Sequence, residues 1–142
     1  VIFLDIDGVL VLKRGKFEPK CLRYLKKIAT VTKAKVVLSS SWRLFPDSVR
    51  QVREQLQQHA GTEIVGLTPS SANGLDRAKE ILQWLSENRR DAPLLERTLK
   101  WVALDDAYLG YNKEVKEHFV HVDATTGLTA EDADKAIAIL SL

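Results

Sequence analysis

The sequence has no methionine, one cysteine and four prolines. A lone cysteine, Cys21, cannot form an internal disulfide, so a fold held together by disulfides is excluded. Cys21 lies in an apolar-periodic stretch, and we expect a buried thiol, in agreement with a reducing compartment. Because the sequence begins at Val1 and lacks an initiator methionine, it leaves open whether it is a piece of a longer chain.

No apolar run approaches the length that crosses a membrane, and the N-terminal apolar run carries aspartates where a signal peptide has small residues. We therefore expect no membrane partner and a cytoplasmic location. The 21 basic and 19 acidic residues nearly balance, at a net charge of +2, so bulk charge does not indicate nucleic-acid or membrane binding. A chain of 142 residues predicts a single domain over residues 1–142.

The N-terminal run is the most informative stretch. Residues 1–4 are continuously apolar, which is typical of a strand buried on both faces, and Asp5, Asp7 and Gly8 follow directly. Ligands of open α/β sheets bind beyond the carboxyl ends of the strands. Both aspartates are therefore candidate functional residues.

Strand-like and helix-like segments alternate along the rest of the chain. This pattern predicts a doubly wound, Rossmann-like α/β fold with a parallel five-stranded sheet in a three-layer α/β/α arrangement. The predicted strands are residues 1–4, 35–38, 62–67, 101–104 and 119–122. The predicted helices begin at Pro19, at Pro46 with Asp47 as N-cap, after Asp76, and after a capping box formed by Thr129 and Asp132. Residues 11–17 are expected to form a flap that turns at Arg14 and Gly15, residues 68–74 a loop, and residues 88–98 a helix end and connector.

Polar side chains follow four of the five predicted strands: Asp5, Ser39, the pair Asp105 and Asp106, and Asp123. Parallel strands would bring them to one edge of the sheet. Such a cluster has no basic residue within the strand ends to neutralise it, and a divalent cation is the natural counter-charge. For Asp123, capping of the next turn is favoured over metal binding.

Other interpretations of these residues carry less weight. A calcium loop is disfavoured because a strand, not a helix, precedes Asp5, and the twelfth position of such a loop would be Lys16 in place of Glu. Asp7 and Gly8 alone would indicate a turn. Trp42 and Arg43 follow the second strand, and they would either stack on a base or sugar or pack against the protein.

Four motifs in this order resemble those of the haloacid dehalogenase-like (HAD) superfamily of aspartate-nucleophile phosphotransferases. The first is Asp5-Ile6-Asp7-Gly8, and the fourth is Asp105-Asp106. The second motif, a Ser or Thr that closes a strand, matches Ser39, with Ser40 as the alternative. The third, a Lys or Arg at the start of a helix, matches Arg77, with Lys79 as the alternative.

The resemblance implies a phosphatase that forms an aspartyl-phosphate. Asp5 would be the nucleophile, and the Asp7 side chain would serve as general acid and base. Mg²⁺ would be bound by Asp5, the backbone carbonyl of Asp7, Asp106 directly and Asp105 through water.

The same resemblance implies how the phosphate is held. Ser39 and the backbone N–H groups around Gly8 would hold the transferring oxygens, while Arg77 or Lys79 would offset their charge. Ser40, Trp42 and Arg43 complete the expected substrate contacts.

The gaps between motifs are too short for the cap domain that many members carry, so the chain resembles the capless type. An open pocket suits a large phosphorylated substrate, such as a phosphoprotein or a nucleic-acid end. The stretches Leu-Ser-Ser-Ser-Trp-Arg and Arg-x-x-Glu-Ile-x-x-Trp-Leu also resemble small HAD domains of bacterial RNA-repair proteins. Two alternatives stay open, a non-catalytic phosphate- or partner-binding module and transfer to an acceptor other than water. The sequence predicts no oligomeric state.

Overall fold

A computed structural model describes residues 1–70, 76–89 and 99–142. Five parallel strands form one sheet in the order β3-β2-β1-β4-β5, with β1 at its centre. The strands are β1 (Ile2–Leu4), β2 (Val36–Leu38), β3 (Ile64–Leu67), β4 (Val102–Asp105) and β5 (Phe119–His121). The helices are α1 (Pro19–Thr32), α2 (Pro46–His59), α3 (Arg77–Arg89), α4 (Lys113–Lys116) and α5 (Ala130–Leu140). The predicted parallel five-stranded α/β fold is confirmed.

Alternate residues of β1 face opposite layers of helices. Ile2 and Leu4 lie in one core with α1, α2 and α5, whereas Phe3 packs on the other side with α3 and α4. All three residues are buried, as expected for a central strand covered on both faces. The sheet is therefore the middle layer of three.

Helix ends follow the local sequence, with one exception. Pro19 and Pro46 occupy the first positions of α1 and α2, where a missing N–H costs nothing. The capping box of Thr129 and Asp132 at α5 is confirmed. The predicted N-cap at Asp47 is wrong: Pro46 already begins α2, so Asp47 lies in its first turn and pairs with Arg50.

The predicted flap is a short turn. Lys13–Gly15 form a 3-10 turn, closed by an antiparallel bridge between Val11 and Phe17, and Gly15 has a φ of +66°. The strand predicted over residues 62–67 begins only at Ile64 and lies at the sheet edge. Most of the loop predicted at 68–74 and of the connector predicted at 88–98 falls outside the described residues.

Two short elements were not predicted, α4 and a 3-10 turn at Ser41–Leu44. Each is started by a side-chain cap, from Asn112 and Ser40 respectively, and is too short to show helical periodicity. Cys21 is buried, as expected. Among the described residues, no helix is both long and apolar enough to cross a membrane.

Candidate active site

The candidate site lies at the carboxyl edge of the three central strands. Leu4 of β1 pairs with Leu38 of β2 and with Leu104 of β4. The residue that follows each of these three leucines is polar: Asp5, Ser39 and Asp105. Two backbone hydrogen bonds hold this edge together, from Asp5 N–H to Leu104 O at 3.0 Å and from Ser39 N–H to Leu4 O at 2.9 Å. Strand register therefore brings the first, second and fourth motifs together.

Three carboxylates form a compact cluster. Each of Asp5, Asp105 and Asp106 offers an oxygen, and the three oxygens lie within 4.8 Å of one another. Asp5 and Asp105 are only 4% and 2% exposed. An all-oxygen set of this charge suits a hard divalent cation such as Mg²⁺. The Asp7 carboxylate is exposed and lies outside the cluster.

Arg77, the first residue of α3, contacts this cluster. Its Nη1 donates to both carboxylate oxygens of Asp105 at 3.0 and 2.8 Å, and lies 3.4 Å from Asp5 Oδ2. The alternative, Lys79, is placed elsewhere: its side chain is 77% exposed and its ammonium lies 3.8 Å from Asp76. The structure brings Arg77, and not Lys79, to the acidic cluster.

The cluster shifts the proton affinity of its members. Burial, together with the neighbouring Asp105 and Asp106, raises the pKa of Asp5 to about 9. Burial also raises the pKa of Asp105, although Arg77 opposes the shift. Burial acts to lower the pKa of Arg77, but the carboxylates of Asp105 and Asp5 outweigh it and the pKa is raised. Burial and the neighbouring carboxylates therefore favour the protonated form of Asp5, and a bound cation would favour its carboxylate.

Ser39 and Ser40 are both buried, but their hydroxyls differ. Ser40 Oγ accepts a hydrogen bond of 3.2 Å from Trp42 N–H and so caps the following turn. Ser39 Oγ has no hydrogen-bond partner among the described residues, although the side chain is 1% exposed. Buried hydroxyls are nearly always paired, so an unpaired one beside a carboxylate cluster indicates a place for a ligand oxygen.

Trp42 lies against the second aspartate of the first motif. Its indole Nε1–H donates to Asp7 Oδ2 at 3.0 Å. Phe17, from the turn after β1, packs edge-on to the indole at a ring separation of 5.7 Å. Of the two uses expected for Trp42, stacking or packing, the structure shows packing together with a polar contact to Asp7.

Gly8 has a φ of +83°, and its Cα lies close to Asp106. A Cβ at this position would lie 2.7 Å from Asp106 Cγ, so glycine leaves the space that the carboxylate occupies. Among the N–H groups around Gly8 that are expected to hold the phosphate, that of Gly8 itself donates to Val11 O at 2.9 Å. That amide is therefore already paired within the tight turn after β1.

Arg43, which we expect to contact the substrate, lines the same cavity as Arg77 and is also bonded within the protein. Its guanidinium points inward and donates to Thr68 O at 3.0 Å, Ser40 O at 2.8 Å and Glu80 Oε2 at 3.1 Å. The side chains of Arg43 and Glu80 are 7% and 5% exposed. Arg43 therefore links the loops that follow β2 and β3, and most of its N–H groups are hydrogen-bonded within the protein.

Asp123 behaves as a capping residue, as favoured from the sequence. Its Oδ1 accepts from the N–H and the hydroxyl of Thr125 at 2.8 and 2.7 Å, and these bonds lower its pKa. Two further residues near the site were not predicted, Tyr108 and Tyr111, which with Arg77 line one cavity. Their position shortly after Asp105 and Asp106 was the available signal.

One comparison with known proteins gave a match. Residues 1–133 match the family described as the HAD domain in Swiss Army Knife RNA repair proteins. The chain belongs to this family. No curated protein and no solved structure matches the chain. The match spans every strand of this HAD domain and all four motifs, so the resemblance inferred from the sequence is confirmed at the level of family and fold.

Proposed function

We propose that this HAD domain is a Mg²⁺-dependent phosphomonoester hydrolase that acts through an aspartyl-phosphate on Asp5. One observation carries the proposal. The Asp5 carboxylate lies in an oxygen cluster with Asp105 and Asp106, beside the Arg77 guanidinium. A carboxylate nucleophile needs this environment, because it must approach a dianionic phosphate.

The residues present fit Mg²⁺. Asp5 and Asp106 would hold it directly, Asp105 through water, and the carbonyl of Asp7 would complete the protein ligands. When bound, the ion neutralises charge on the phosphate and on Asp5. The Asp105 carboxylate, already paired with Arg77 at 2.8 Å, suits a water-mediated position.

The side chains divide the chemistry into two steps. In the first, an Asp5 carboxylate oxygen attacks phosphorus, and the bond to the leaving oxygen breaks as Asp7 donates a proton to that oxygen. In the second, Asp7 takes a proton from a water whose oxygen attacks the same phosphorus, and the Asp5 carboxylate is released. Arg77 would hold the transferring oxygens in both steps, together with the Ser39 hydroxyl, which has no partner among the residues that the structure describes.

A nucleic-acid end is the substrate that we propose. The described segment between β1 and α1 contains only a short 3-10 turn, so nothing large covers the site from that side. Membership in a family of HAD domains from RNA repair proteins supports a phosphorylated RNA end in particular. The small net charge of +2 is compatible with recognition of an end, because end recognition does not require a long basic surface.

A turnover screen tests the proposal. We expect phosphate release from at least one of 3′- or 5′-phosphorylated oligoribonucleotides, nucleotides, sugar phosphates and phosphopeptides, with Mg²⁺ required. Asp5→Asn should lower kcat by about a thousandfold or more, because it removes the covalent step. Asp123→Asn is the matched control, since Asp123 is an exposed carboxylate outside the cluster. Activity that survives Asp5→Asn or ignores chelation contradicts the mechanism, and saturable phosphate binding without any turnover favours a non-catalytic module.

The third motif is tested by a second pair of variants. We expect Arg77→Ala to lower kcat/KM by about a hundredfold, the scale of losing one charged donor to a developing phosphate charge. Lys79→Ala should remain within about twofold of the wild-type protein, because its ammonium lies at the surface beside Asp76. The reverse result would assign the third motif to Lys79.

A further inference from the structure

The exposed aromatic side chains of this domain are gathered at one edge of the sheet. Among the described residues, Phe45, Tyr108 and Tyr111 are 61%, 58% and 57% exposed, and the other Phe, Tyr and Trp rings are at least partly buried. All three follow the carboxyl ends of β2 or β4, the strands on either side of β1. Exposed aromatic rings cost solvation free energy, so their position around a candidate active site indicates a binding surface.

Two of these rings, Tyr108 and Tyr111, line a cavity of about 350 Å³ together with Leu44 and Arg77. Arg77 connects the cavity to the acidic cluster, because its Nη1 lies 3.4 Å from Asp5 Oδ2. Only the Arg77 side chain therefore separates the cavity from the proposed nucleophile, Asp5. Its volume falls at the lower end of the range for small-molecule sites.

Both tyrosine rings are held in place by other contacts. The Tyr111 hydroxyl donates to Asp76 Oδ1 at 2.7 Å, next to Arg77 in the sequence. Tyr108 packs against Phe119 at a ring separation of 6.1 Å and lies over Gly110, where a Cβ would be 2.6 Å from its Cζ. Each ring is thus positioned by the protein while more than half of the side chain stays accessible.

We propose that this cavity is a nucleobase subsite, which takes the base of the terminal nucleotide whose phosphate lies at Asp5. The proposal rests on the proposed function and adds the part of the substrate that is recognised. In a nucleotide, the sugar separates the flat base from the phosphate. In the protein, the Arg77 side chain separates the two tyrosines from the proposed nucleophile Asp5. Stacking on aromatic side chains accepts any base, which suits an enzyme that acts on ends of varied sequence.

The test compares two short oligoribonucleotides that carry a terminal phosphate, one with a normal terminal nucleotide and one in which that nucleotide is abasic. Binding to the Asp5→Asn protein with Mg²⁺ is measured, so that turnover does not interfere. We expect the normal end to bind about tenfold more tightly, the scale of one stacked base. The phosphate and the sugar are the same in both, so the ratio reports the base alone.

Variants of the subsite should change this ratio. Tyr108→Ala and Tyr111→Ala are expected to lower the preference to about twofold or less, and Tyr108→Phe to retain it. Gly110→Ala should act like Tyr108→Ala, because the new methyl group displaces the Tyr108 ring without removing it. Phe45→Ala is the control, since Phe45 is an equally exposed ring on the same edge that does not line the cavity.

Equal binding of the normal and abasic ends would overturn the proposal. So would tyrosine variants that weaken both oligonucleotides equally, or tighter, tyrosine-dependent binding of a phosphopeptide. A base preference without turnover of any phosphate by the wild-type protein would leave the subsite standing and overturn the proposed function. Turnover of the normal and the abasic ends at equal kcat/KM would support the proposed function and overturn the nucleobase subsite.

Discussion

The indole N–H of Trp42 donates a 3.0 Å hydrogen bond to Oδ2 of Asp7. Asp7 follows the central strand β1, and Trp42 lies in the 3-10 turn after its neighbour β2, so the contact joins the first two motifs. A hydrogen bond from an N–H donor restricts the rotation of the carboxylate. In the proposed mechanism this contact positions the general acid and base.

Trp42→Phe should therefore slow the steps that need Asp7. We expect kcat for an alkyl phosphate, whose leaving oxygen needs a proton, to fall about tenfold, part of the usual contribution of a general acid. An aryl phosphate with an acidic leaving group should be affected less. Phe17→Leu is the control, because it changes the packing on the indole but keeps the N–H. Equal losses on both substrates would indicate that Trp42 supports only the fold.

Gly8→Ala should impair both stability and Mg²⁺ binding. Its methyl group would meet Asp106 Cγ at 2.7 Å, and its φ of +83° strains any L residue. Gly61→Ala is the matched control, with a φ of +61° and nothing within 4 Å of the added Cβ. We expect about 1 kcal/mol of destabilisation from the backbone in both variants and a further ~1 kcal/mol or more only in Gly8→Ala. Equal denaturation midpoints would contradict the close approach of Asp106.

The stability of the metal-free domain should depend on Asp5. The folded protein raises the pKa of Asp5 from 3.8 to about 9. The stabilisation that the protonated Asp5 carboxyl gives to the fold is therefore fully present below about pH 4 and is lost as the pH rises through about 9. The amide introduced by Asp5→Asn does not titrate, so this variant should raise Tm at pH 8 in chelator by about 3 °C or more, with less gain at pH 5. The pKa of Asp123 is lowered in the fold, so Asp123→Asn should give no gain at pH 8. A pH-independent difference would argue against a raised pKa of Asp5.

Mg²⁺ should stabilise the wild-type domain through the same carboxylates. At a concentration about one hundred times its Kd, a ligand specific for the folded state adds about 2.7 kcal/mol, which a thermal shift detects easily. We expect Asp106→Asn to lose most of that shift, because it removes the negative charge of one of the three clustered carboxylates. Asp134→Asn, an exposed carboxylate paired with Lys27, should keep it. A shift retained in Asp106→Asn would place the ion elsewhere.

Two arginine–carboxylate pairs provide a test of the role found for Arg43. The Arg43–Glu80 pair is buried, with a contact of 3.1 Å, so Arg43→Gln should lower the free energy of unfolding by about 3 kcal/mol. Arg50→Gln, in the exposed pair with Asp47, should cost less than about 0.5 kcal/mol. Denaturant midpoints would measure both. A stable Arg43→Gln variant with a raised KM would restore the substrate contact first expected for this residue.

The sequence predicts well which strands and strand-end residues form the site. Strands buried on both faces are continuous apolar runs, and the polar residues that follow them are easily located. Asp5, Ser39 and Asp105 meet in the structure for that reason. The helices could also be predicted from their prolines and capping box. The short α4 could not, since four residues contain only one turn.

The direction in which individual side chains point could not be predicted from the sequence. Arg77 and Lys79 are two residues apart, which turns them about 200° from each other around α3, and only the packing of that helix decides which one faces Asp105. The buried pairing of Arg43 could not be predicted, because its partner Glu80 comes from a distant helix. The pairing of the Gly8 amide could not be predicted, because its partner, Val11 O, depends on the shape of the turn.

Local polarity and periodicity are enough to specify the α/β fold, the order of the motifs and the residue types at the strand ends, and all of these can be read from the chain. Which groups face one another depends on how the layers pack. Packing placed Arg77 on the carboxylates, left the hydroxyl of Ser39 without a partner in the described part of the chain, set Trp42 against Asp7 and put Tyr108 and Tyr111 around one cavity. Those contacts join residues far apart in the chain, and their energies depend on distance and burial that no local pattern encodes.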